Sequence, residues 1–125
     1  MKARATVALA VIVGFGLGAG TVGVIHAQTK PPAFVIAENT VTNMDGYMKE
    51  YAPKIQAKIK EHGGRILAAS ADVTAFAGPR PSRVVVNQFE SLDEAKAFYT
   101  SAEYKELRKI GDKYAKFRIF AVEGR

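Results

Sequence analysis

Three runs of this chain are apolar at consecutive positions. They are Phe34–Ala37 within "AFVIAENTVT", Val84–Val86 within "RVVVNQFE", and Ile119–Val122 within "KFRIFAVEG". Their β-branched and aromatic content reads as strand. Side chains of a strand alternate between the two faces of its sheet, so a sheet with one face in water alternates apolar and polar residues. These runs do not alternate. Whatever they build must be covered on both faces.

The segments between them supply one cover. Asn43 or Asp45 caps a helix over residues 46–61, with a stripe of Met48, Ala52, Ile55, Ile59 and His62. Pro53 falls inside that stripe and is expected to kink it or delay its regular start. "HGG" at His62–Gly64 stops the helix. "RILAAS" and "VTAFAG" flank Ala71-Asp72 and read as a short hairpin or bent strand, and "PRPS" as a loop. Ser91-Leu92-Asp93-Glu94 is a capping box that opens a helix facing inward through Leu92, Ala95, Phe98 and Tyr99. Ser101 caps its continuation after a break near Thr100, with Tyr104, Leu107, Gly111 and Tyr114 on one stripe.

The order is β-α-β-β-α-β, an α+β ferredoxin-like plan with two helices on one face of an antiparallel sheet. Nothing remains in the chain to cover the other face. A second copy is the simplest cover, so a homodimer is expected.

Nearly the whole chain after the N-terminal segment resembles the bacterial domain-of-unknown-function family numbered 1330. The resemblance rests on the strand from Phe34, "DGYMKEYAPKIQAKIKEHGGRIL", "SRVVVNQFESLDEAKAFYTSAEYKEL" and "RIFAVEG". It implies a dimeric α+β barrel in which two sheets pack face to face. Proteins of that fold include monooxygenases, isomerases and haem enzymes acting in the cleft between sheet and helices. The family itself brings no settled activity, and likeness of fold is analogy rather than chemistry.

The N-terminus gives an address. Lys2 and Arg4 precede an apolar, glycine-rich stretch over Ala5–Ile25, and Ala27 is a small residue before Gln28. This reads as a signal peptide over residues 1–27, followed by a spacer at 28–32 and the folded domain at 33–125. The rival reading is an uncleaved anchor, since about 20 apolar residues span a bilayer. Either places the domain outside the cytoplasm, periplasmic or secreted, with membrane contact only if the segment stays uncleaved. "GAGTVG" at Gly18–Gly23 matches a dinucleotide-binding pattern but lacks the strand, helix and acid that the motif needs.

Losing Lys2 and Arg4 takes the basic count from 18 to 16 against 12 acids, a net charge of +4. The charges alternate in sign along the helices, which does not suit nucleic acid. Six cations in Lys105–Arg118 read as a solvated helix face, with anionic lipid as the rival. The chain has no cysteine, and after residue 27 it has one histidine, so a His/Cys metal site within one subunit is excluded. No cofactor is implied.

Candidate site residues are few. His62 is the acid/base candidate, against the plainer reading that a histidine in a last helical turn favours the helix dipole. Arg65 and Arg83 begin strands and could hold a carboxylate. Glu38 and Asn87 interrupt central strands and need partners or a cavity. Tyr51, Tyr99 and Tyr104 offer phenols over apolar bodies, with core packing as the plainer reading. The first and third strands are taken as adjacent and parallel, which sets Glu38 and Asn87 at similar height. Glu38, His62, Arg65 and Asn87 then form one expected pocket for a small polar or aromatic molecule, with Arg83 and Tyr104 as further ligand-binding candidates.

Overall fold

The computed structural model describes residues 30–125; the expected signal segment and the start of the spacer lie outside the described residues. Strand β1 spans Ala33–Val41, helix α1 Ala52–Glu61, β2 Arg65–Ser70, β3 Arg83–Phe89, α2 Leu92–Tyr99, α3 Ala102–Gly111 and β4 Ala115–Glu123. The sheet order is β2-β3-β1-β4, and every neighbouring pair is antiparallel. This is the ferredoxin-like arrangement, an α+β fold with its helices on one face. The expected parallel pairing of the first and third strands is corrected. The β2–β3 connection reverses the chain, so β3 runs against β1, with Val35 opposite Asn87 and Glu38 opposite Val84.

Register and burial sort the strand residues between two faces. Ala33, Val35, Ala37 and Asn39 of β1 are buried, and the residues opposite them on β3 are Phe89, Asn87, Val85 and Arg83. These point toward the helices, where the core also gathers Tyr47, Tyr51, Ile55, Ile59, Phe98 and Tyr104. The opposite face carries Phe34, Ile36, Val84, Val86, Phe120 and Val122. There Phe120 is 40% and Val122 55% exposed. The apolar runs thus arise because β1, β3 and β4 are apolar on both faces.

The first helical segment departs from the expected stripe. A helical turn at Met44–Gly46, capped by Asn43 Oδ1 accepting from the Gly46 N–H at 2.9 Å, leads into a π-helical turn at Tyr47–Tyr51 before α1 begins. The Ala52 N–H closes that turn on the Tyr47 carbonyl. Pro53 sits in the first turn of α1 and has no N–H to donate, so the chain takes the wider turn just ahead of it. The π turn adds one residue to the helical phase. Tyr47 and Tyr51 therefore face inward, while Met48 is 42% exposed.

Helix α1 ends in a Schellman arrangement. The Gly64 N–H donates to the Ile59 carbonyl and the Gly63 N–H to the Lys60 carbonyl, with Gly63 at φ +82°. The inferred caps of α2 and α3 are present: Ser91 Oγ accepts from the Glu94 N–H and Ser101 Oγ from the Tyr104 N–H. "VTAFAG" is not a strand. Residues 71–82 form an irregular connection in which Phe76 is 97% exposed. Its alanines and glycine offer too little side chain to bury against a neighbouring strand.

Candidate functional site

The antiparallel register places Asn39 directly across from Arg83, with Asn87 four residues further along β3 on the same face. These polar residues are buried between sheet and helices, at 2%, 8% and 2% exposure. They line a cavity of about 30 Å3 together with Tyr47, Tyr51, Tyr99 and Tyr104. That is room for about two water molecules. Val85, Ile55, Ile59 and Phe117 supply much of its apolar wall.

The hydrogen bonding is incomplete. Asn39 Nδ2 donates to Tyr47 Oη at 2.9 Å, and Asn87 Nδ2 donates to Tyr99 Oη at 3.2 Å. Both Asn Oδ1 atoms and Arg83 Nε are buried without a hydrogen-bond partner among the described residues. Arg83 forms none of the ion pairs among those residues, and its guanidinium lies 5.6 Å from the Tyr47 ring centroid. An unsatisfied buried polar atom costs roughly 1–3 kcal/mol. Folding has concentrated these costs in one place.

Three of the cavity phenols are held neutral by burial. Burial raises the Tyr51 and Tyr99 hydroxyls well above the ordinary phenol range, and burial also raises Tyr104. Among the described residues, the cavity lining holds no carboxylate, imidazole or ammonium group. Its chemistry is therefore that of a fixed cation, phenols and amides, which can hold a ligand by charge and hydrogen bonds.

A second, apolar pocket of about 180 Å3 is lined by Val35, Leu92, Ala95, Ile119 and Ala121 among others. Tyr99 and Ile119 line both spaces, so the two lie on either side of a shared wall. A cavity of roughly 150 Å3 accommodates a benzene ring.

Of the sequence candidates, Arg83, Asn87 and Tyr104 line the polar cavity. Glu38 lies on the opposite sheet face, where it pairs with Arg118 at 2.9 Å. Arg65 is exposed at the start of β2, opposite Gln88. His62 is outside the cavity and occupies the C-cap of α1. Its Nε2 meets Glu103 Oε1 at 2.7 Å, and its ring lies 5.0 Å from that of Phe98. The expected convergence of Glu38, His62, Arg65 and Asn87 is not the geometry found. Asn39 and Tyr47 were missed. The available signal for Asn39 was its parity with Val35 and Ala37, whereas Glu38 has the parity of the other face. No cluster of three or more metal-ligating side chains occurs among the described residues.

Residues 32–125 match the family described as Domain of unknown function (DUF1330). The chain belongs to this family. No curated protein matches the sequence. Among solved structures, this DUF1330 chain is similar to a protein of unknown function from Rhodopseudomonas palustris, at 12% identity and a TM-score of 0.63, covering 85% of this chain and 92% of that one. It is also similar to SnoaB, a cofactor-independent oxygenase from Streptomyces nogalater, at 9% identity and a TM-score of 0.57, covering 76% and 94%. A conserved protein of unknown function from Bacteroides thetaiotaomicron matches at 17% identity and a TM-score of 0.53, covering 77% and 100%. At these identities the likeness is one of fold.

Proposed function

We propose that this DUF1330 protein binds a small polar or aromatic molecule in the cleft between its sheet and helices. The observation that carries this reading is the grouping of Arg83 Nε, Asn39 Oδ1 and Asn87 Oδ1, all buried and without partners, around one cavity. Natural cores rarely leave such atoms unpaired, and a pocket with a few convergent polar groups in an apolar wall is the usual form of a small-molecule site. The adjoining apolar pocket offers room for a ring. The oxygenase activity of SnoaB stays with that protein, because the likeness to it is one of fold alone.

The same proposal includes two features of setting. The chain is exported through its apolar N-terminal segment, cleaved after Ala27 or retained as an anchor. It works as a homodimer that buries the apolar sheet face bearing Ile36, Val84, Val86 and Phe120, which would otherwise lie partly in water.

The test is an NMR titration of the isotopically labelled protein with a panel of small neutral and anionic compounds, phenol, glycolamide, acetate and glycolate among them. Shifts clustering on Asn39, Tyr47, Asn87 and Tyr99 support the cleft. If no panel member moves those resonances at millimolar concentration, the reading fails.

A further inference from the structure

Resting on the cleft reading, we infer that the ligand is an organic carboxylate that also carries a hydroxyl group, with its head group held between Arg83 and Asn39. The unpaired atoms specify this chemistry. Arg83 Nε is a donor on a permanent cation, buried with no carboxylate of the described residues paired to it. It calls for an anionic acceptor, and a carboxylate suits a guanidinium in geometry as well as charge. Asn39 Oδ1 and Asn87 Oδ1 are acceptors whose own amide nitrogens are already engaged by Tyr47 and Tyr99. They call for a donor, which a bare carboxylate lacks and a hydroxyl supplies.

Placement supports the pairing. Asn39 and Arg83 are cross-strand neighbours on the helix-facing side, where opposite residues have Cβ atoms roughly 5 Å apart. One small head group can therefore reach both. Asn87 lies beyond Val85 on the same face, within the same cavity. A cavity of about 30 Å3 offers the space of about two waters, which one carboxylate oxygen and the hydroxyl oxygen of the ligand would take. The rest of a larger ligand would lie against Tyr99, toward the apolar pocket.

The core experiment requires no variant. Glycolate, acetate and glycolamide are titrated separately into labelled protein while the Arg83 Nε–H and the Asn39 and Asn87 side-chain NH2 resonances are followed. Glycolate has both features, acetate lacks the hydroxyl and glycolamide lacks the charge. Glycolate is expected to bind about tenfold tighter than glycolamide, the margin of a charge-assisted over a neutral hydrogen bond, and measurably tighter than acetate. Glycolamide binding as well as glycolate would overturn the carboxylate while leaving the cleft reading intact. Acetate binding as well as glycolate would overturn the hydroxyl. Failure of all three, together with failure of the rest of the panel, would overturn the cleft reading itself.

Asn39→Asp adds an independent arm. It places a built-in carboxylate beside Arg83, so the protein is expected to melt at a higher temperature and to lose its response to glycolate. A variant that melts no higher and still binds glycolate would contradict the proposal.

Discussion

Asn39 and Arg83 stand opposite one another on the central strand pair, both buried, yet Asn39 Oδ1 and Arg83 Nε remain without partners. A slip of one residue by either strand would have turned its member of the pair toward the open face. The antiparallel pairing instead directs a cation and an amide into the space under the helices, where phenols make up much of the remaining polar lining.

The same register separates the three central valines. Val84 and Val86 share the open face with Ile36, and Val85 lines the cavity opposite Ala37. Val86→Asp is therefore expected to leave the fold intact and to convert the proposed dimer to monomer in sedimentation velocity. Val85→Ala trims the apolar wall under the helices instead and should destabilise the fold by roughly 1–3 kcal/mol in denaturant unfolding, with association unchanged. Dimers that survive Val86→Asp would remove the open face from the interface.

Much of this architecture was legible because it depends on local signals. Ser91, Ser101 and the His62-Gly63-Gly64 stop act over a few residues and lie where the sequence indicates. The site was less legible because it depends on strand direction and helical phase. Taking β1 and β3 as parallel grouped Glu38 with Asn87, although the register puts them on opposite faces. The π turn before Pro53 likewise exchanged Met48 for Tyr47 and Tyr51, a one-residue change of phase that a regular 3.6-residue stripe does not reveal.

The turn after α1 depends on Gly63, whose φ of +82° is left-handed. Gly63→Ala should cost roughly 1–2 kcal/mol, the penalty of a Cβ in that conformation. Chemical denaturation would show this as a lower midpoint with an unchanged slope. A neutral result would mean that the turn relaxes to another conformation.

Glu103 ties α3 to the end of α1. Its bond to His62 comes first, and its bond to Lys58 at 3.0 Å second, in lowering its carboxyl below the ordinary value of 4.5. A carboxyl whose folded pKa is depressed contributes stability above its unfolded pKa. That contribution is lost as pH falls through 4.5 and below. The melting temperature of Glu103→Gln should therefore fall less steeply than wild type through this acid range, with the two curves farthest apart above it. Parallel acid limbs would show that this exposed cluster contributes nothing measurable.

Phe98 is fully buried, with its ring against Phe89, Tyr99, Tyr104 and His62. Phe98→Ala should cost about 3–5 kcal/mol and loosen Tyr99, which forms the wall between the two pockets. Thermal unfolding measures the first effect. Faster hydrogen exchange along α2 would report the second.

A crystal structure of the protein grown with glycolate tests the central claim most directly. The expected result is a carboxylate on Arg83 Nε, with the hydroxyl of the same molecule donating to Asn39 Oδ1, between the Tyr47 ring and the sheet. A cleft without glycolate, with Arg83 turned out of it to pair with a carboxylate of the protein itself, would contradict the account.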